Sequence, residues 1–155
     1  MRRRETGKTI DVEPFLGDLR SYLESLDGLV AAWIYGSYRT QYQTPLSDLN
    51  LAFLYQRDSL PDLAEEGRLW LRSADILHEE DVSVEIVNRL SILRQFRVIK
   101  EGRRLVCRAP IALADFVEWV LSRHADYIIH HQEFAAEYDQ ALVERYGSET
   151  KERRS

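Results

Sequence analysis

Gly36-Ser37, ten further residues, and then Asp48 and Asn50 are the residues of this chain best suited by type and spacing to chemistry. A glycine directly after an apolar run lets the backbone turn sharply and lets a phosphate come close. Ser37 adds a hydroxyl, and the amides of the turn that follows can point at an anion. Strand-Gly-Ser turns are common, so the pair alone is weak evidence. Asp48 and Asn50 add to it, because residues two apart on a strand project from one face. They interrupt an otherwise apolar segment, and burying them without partners is costly. Two explanations stand: they finish a turn and cap a loop, or they hold a hard cation such as Mg²⁺ through oxygen. Glu85, between Val84 and Ile86, is the third candidate. It either faces solvent on an edge strand or joins Asp48 and Asn50 at one end of a sheet. Three oxygen ligands facing a phosphate turn are what two-metal phosphoryl chemistry requires.

The elements that must position these residues follow from apolar spacing. Leu29 to Tyr35 and Leu49 to Tyr55 are short, almost wholly apolar runs, as expected of strands covered on both faces. Val82 to Val87 reads as a third strand and Arg104 to Arg108 as a brief fourth. Pro14 opens a helix with Phe15, Leu16, Leu19, Tyr22, Leu23 and Leu26 at helical spacing, ended by Asp27-Gly28. Pro61-Asp62 announces a second helix through about His78, with Leu63, Leu69, Leu71, Ile76 and Leu77 as its expected buried positions. Ser91 to Lys100 is a short helix stopped by Gly102. From Pro110 to Tyr146 apolar residues recur at three and four, predicting one long amphipathic helix or two with a bend. The fold class is α/β, a small mixed sheet with flanking helices and a long C-terminal helix. Residues 1 to 11 are expected to fray and 147–155 to form a disordered tail.

The 155 residues fit one domain, which at this size buries roughly 70% of its unfolded surface. A formal net charge of −5 argues against nucleic acid or membrane as a direct partner, although one basic pocket can still hold phosphate. Cys107 is the only cysteine, which excludes an internal disulfide and a thiolate metal cluster. The basic start Met1-Arg2-Arg3-Arg4 lacks the apolar stretch a signal peptide needs, and no run approaches the ~20 apolar residues of a membrane span. A cytoplasmic protein is expected.

Gly-Ser, ten residues, Asp-x-Asp and a third acid on a later strand is the pattern of the polymerase-β-like nucleotidyltransferases, and the small chain resembles their minimal nucleotidyltransferase (MNT) subgroup. VSVEIVNRL is similar to that family's third-acid strand, and IKEGRRLV to its closing helix-Gly-strand. The resemblance covers residues 13 to 108; it divides the chain into a nucleotidyltransferase domain at 12–109 and a helical extension at 110–146. It implies an antitoxin that neutralises a HEPN-family ribonuclease toxin, in hetero-oligomer with it, by moving AMP from ATP to a toxin tyrosine. Gly36 and Ser37 would then hold the triphosphate, and Asp48, Asn50 and Glu85 would be the catalytic and Mg²⁺-binding set. Two positions depart from the pattern: Asn50 replaces an aspartate and removes a full charge, and Glu85 replaces one with a longer side chain. One alternative is therefore a degenerate MNT that neutralises its toxin by binding alone. A second is a nucleotidyltransferase acting on a small molecule, for which the chain shows no substrate-holding second domain.

Other features have plainer expectations. Arg94, Arg97, Lys100, Arg103, Arg104 and Arg108 read as a solvated basic surface, with contact to an acidic partner or nucleotide phosphate as the alternative. Trp33 is expected in the core, and Trp70 in the core or at its rim. Trp119, Tyr127, Phe134 and Tyr138 lie on a helix longer than the sheet can cover, as expected of a protein interface. Arg123 and His130 match the spacing of the HEPN nuclease motif. Nothing else suggests the helical-bundle dimer that motif needs, so His124, His130 and His131 are expected on the solvated or partner face.

Overall fold

The strand pairing follows from which apolar runs are long enough to be buried on both faces. In the computed structural model, which describes residues 11–36 and 49–154, β1 (Leu29–Tyr35) is buried along its whole length. β2 (Leu49–Tyr55) is buried except at Asn50, which is half-buried. The sheet order is β3-β2-β1-β4. β1 pairs antiparallel with both β2 and β4 (Arg103–Cys107), while β3 (Val82–Ile86) runs parallel to β2. A parallel neighbour needs a crossover, and α2 (Leu63–Leu77) supplies it. The sheet is mixed, as expected.

The helices divide between the two faces. α1 (Leu16–Glu24) and α2 cover the face formed by Ala32, Ile34, Leu49, Leu51, Phe53, Val82 and Ile86. α3 (Ile92–Glu101) and the first turns of α4 (Pro110–Arg154) cover Ala31, Trp33, Tyr35, Ala52 and Leu54. Local chemistry sets the helix ends. Asp62 accepts a hydrogen bond from the Glu65 amide at 2.7 Å, an N-cap worth about 1 kcal/mol. His78 closes α2 in the left-handed conformation at φ 53°. Between β3 and α3, Asn88 takes a 2.9 Å bond from the Tyr55 amide and returns a 2.8 Å bond to the Tyr55 carbonyl, fastening that segment to β2.

Two expected core positions are on the outside. Leu63 is 85% and Leu71 60% exposed, because the inward stripe of α2 runs through Leu69, Ser73, Ile76 and Leu77 at spacings of three and four. Each of the two buried leucines contributes about 1.5–3 kcal/mol of burial. Trp33 is core as expected. Trp70 sits at the rim, donating its indole N–H to the Val82 carbonyl at 2.7 Å. α4 is one continuous helix that runs past Tyr146 to Arg154, where the sequence predicts a disordered tail from Gly147. One glycine costs a helix only about 1 kcal/mol, and Glu, Lys and Arg are good helix formers. Residues 1–10, expected to fray, lie outside the described residues. No helix among the described residues is long and apolar enough to cross a membrane.

Tyr55 carries a pH dependence of stability. Burial pushes its phenol up to about 12, with smaller contributions from Tyr22, Glu65 and Glu66. The folded value lies above the unfolded one of about 10, so the stabilisation is full below pH ~10 and is lost as pH rises through ~12. Urea midpoints should therefore fall more steeply over that window for the wild type than for Tyr55→Phe. Parallel curves would show that Tyr55 is not the titrating group.

Candidate functional site

The site forms where β1, β2 and β3 carry polar residues on one face. Tyr35 is the register partner of Asn50, and Asn50 the partner of Ser83; Glu85 stands two residues along β3, opposite Ala52. Alternation along each strand therefore puts Tyr35, Asn50, Ser83 and Glu85 on the face covered by α3 and α4. Glu85 is on edge strand β3 but on the same face as Asn50, with its side chain mostly buried.

Gly36 ends β1 with φ 99°, a conformation that favours glycine. A Cβ built there would fall 2.5 Å from Asn50 Nδ2, so the absence of a side chain is what lets the backbone turn over Asn50. Of the five predicted residues, Gly36 and Asn50 meet at one end of the sheet, and Glu85 lies on the same face opposite Ala52, midway along β2. Ser37 and Asp48 lie outside the described residues.

Sequence reasoning missed the partner of Glu85. Arg94, in the first turn of α3, forms an ion pair with Glu85 Oε1 through Nη2, and the same nitrogen donates to the Tyr35 hydroxyl at 3.0 Å. That nitrogen thus joins the two strands that flank β2. The other carboxylate oxygen, Glu85 Oε2, is buried without a hydrogen-bond partner. A signal for Arg94 was present in the sequence. A cation in the first turn of a helix sits at the positive end of the helix dipole and needs an anion nearby. The basic stretch is accordingly not uniformly solvated: Arg94 holds Glu85, Arg103 holds Glu13 at 2.5 and 3.0 Å, and Arg97 reaches Glu101 at 3.7 Å.

These residues fit a divalent cation poorly. Among the described residues, no three His, Cys, Asp or Glu side chains come together to hold a metal. The described site residues offer one carboxylate already neutralised by a guanidinium, plus a neutral amide. Mg²⁺ gives up its waters reluctantly and relies on charged oxygen ligands. The free Oε2 is the one feature that suits a cation.

Elsewhere, His124 stacks on Phe96 with ring centroids 3.5 Å apart and so ties α4 to α3, against the expectation of a solvated histidine. His130 and His131 are exposed, as expected.

The fold has solved counterparts. An MNT antitoxin in complex with a tri-AMPylated HEPN toxin of Shewanella oneidensis matches with a TM-score of 0.63 at 17% identity, over 83% of this chain and 98% of that one. A toxin-antitoxin complex with AMP-PNP matches at 0.59 and 20% identity, over 84% and 98%. A MntA-HepT toxin-antitoxin structure matches at 0.60 and 17%, over 81% and 97%. These likenesses establish that the chain shares its fold with those solved structures. No curated protein matches by sequence at a significant level. The polymerase beta nucleotidyltransferase family, however, matches residues 18–111, which is 94 of the 155 residues and spans all three site strands and Arg94. On that match, the chain belongs to the polymerase beta nucleotidyltransferase family.

Proposed function

We propose that this protein is an antitoxin that binds and neutralises a HEPN-family ribonuclease in a hetero-oligomer. The observation that carries the reading is the near-complete coverage, 98%, of an MNT antitoxin that is described in complex with an AMPylated HEPN toxin. Residues 12–109 form the nucleotidyltransferase unit, 110–146 its helical extension, and the protein acts in the cytoplasm without contacting nucleic acid directly.

In the catalytic form of this reading, the pocket takes ATP, with Gly36 and Ser37 at the triphosphate, and AMP passes to a tyrosine of the toxin. A working transferase of this kind also uses Mg²⁺, with Asp48, Asn50 and Glu85 as its ligands. Asn50 and the guanidinium on Glu85 support the second reading, in which the pocket is a remnant and neutralisation is by binding alone.

Intact-mass spectrometry of the HEPN partner co-purified with this protein separates the two. Whole AMP-sized additions that vanish with Asp48→Ala would mean the site catalyses. An unmodified partner held in a stable complex would mean that binding suffices. Failure to form any complex would defeat the antitoxin reading itself.

A further inference from the structure

The described pocket contains a fixed positive charge where a metal-using site needs a free acid. Glu85 Oε1 accepts from Arg94 Nη2, which also reaches Tyr35 on the far side of β2. The guanidinium therefore bridges β1 and β3 across β2, and it occupies one oxygen of the one described acid among the expected cation ligands. Position 50, on the strand between, carries no charge. Arg94 is anchored from behind, because Ser91 caps α3 by accepting the Arg94 amide at 3.4 Å and Gln95 donates to the Val87 carbonyl at 2.9 Å. With Arg94 paired to Glu85 and Asn50 neutral, the described side chains sum to no net charge. A divalent ion entering there would meet a cation within hydrogen-bond distance of its only described carboxylate.

We propose that Arg94 stands in place of a divalent cation beside Glu85: its guanidinium balances that carboxylate and so lowers the affinity of this face of the sheet for a divalent cation. The inference concerns the pocket alone and stands whether or not the partner is a HEPN ribonuclease.

The test is a titration of the full-length protein with Mn²⁺ alone, read by the loss of the free-ion electron paramagnetic resonance signal, with no nucleotide or toxin present. Mn²⁺ reports on hard oxygen sites of the Mg²⁺ type. Arg94→Met should bind Mn²⁺ at least about tenfold more tightly than wild type, since removing one adjacent cation from a partly buried carboxylate is a large electrostatic change. Adding Asn50→Asp to Arg94→Met should tighten it further, and adding Glu85→Gln instead should erase the gain. Arg94→Lys, which keeps the charge, should stay near wild type. Arg97→Met, one turn away and paired only to Glu101, should shift affinity by less than about twofold at physiological salt. Arg94 is half-exposed on a helix and Met and Gln are comparable helix formers, so Arg94→Gln provides an independent second variant. Equal Mn²⁺ affinity in wild type, Arg94→Met and Arg94→Gln would overturn the proposal. So would a gain that survives Glu85→Gln or appears equally in Arg97→Met.

Discussion

If the protein is the antitoxin proposed above, removing residues 132–155 should leave a folded protein that no longer captures its HEPN partner. The cut spares the part of α4 that the sheet covers: Leu113 and Val120 are buried, and His124 stacks on Phe96. Almost every described side chain it removes, from Gln132 to Arg145, is exposed. Phe134 is 67% and Val143 68% exposed, with Tyr138 and Leu142 also exposed between them. Phe134 and Tyr138 stack on each other one helical turn apart, with centroids 6.4 Å apart, which leaves their outer faces bare. Aromatic residues of this kind are the usual anchors of protein interfaces, each worth about 2 kcal/mol or more. Losing two of them should weaken capture by more than about a hundredfold while the melting temperature changes little. Calorimetric titration of the truncated protein against the ribonuclease, with a thermal melt beside it, reads both. Wild-type affinity after truncation would move the interface off the end of α4. An earlier cut, at Trp119, would mislead, because it also removes the buried Val120.

If the site takes ATP as proposed, Gly36→Val should weaken nucleotide binding and the fold together. The backbone at Gly36 has φ 99°, which a β-branched residue adopts only under strain of about 1–3 kcal/mol. The new Cβ would also land 2.5 Å from Asn50 Nδ2, so either the amide or the turn must move. The turn is the element that would carry the triphosphate, and a displaced backbone amide cannot make the same bond to a phosphate. We expect ATP affinity to fall at least about tenfold, with Gly36→Ala intermediate because it brings the same clash with a smaller side chain. Nucleotide titration with a urea melt separates the two effects. ATP binding by Gly36→Val at wild-type strength would remove Gly36 from the site. An Asn50→Ala background should partly rescue the fold but not the phosphate turn.

Elements whose signal is local were legible before any coordinates. β1 and β2 were readable to the residue, since a strand buried on both faces is a continuous apolar run bounded by polar residues. The start of α2 at Pro61-Asp62 and the end of α3 at Gly102 followed from cap and stop signals within a few residues. Gly36, Asn50 and Glu85 could be singled out because a glycine after a buried strand, and polar residues inside apolar ones, each carry a cost that asks for a reason. One failure came from reading composition without geometry. Leu63 and Leu71 were expected inside because apolar type was read without the face each residue occupies on α2.

What the sequence determined by itself, then, was the set of elements and the identity of the polar residues that interrupt them, because both depend on neighbours within a turn or a strand. Only the tertiary structure decided that β3 lies parallel to β2, which brings Glu85 to the face of Asn50. It alone placed Arg94 of α3 against both Glu85 and Tyr35, residues 9 and 59 positions away in the chain. Such pairings are set by sheet order and helix docking, which are long-range packing outcomes. Charge type and local spacing cannot say which acid a given arginine will meet.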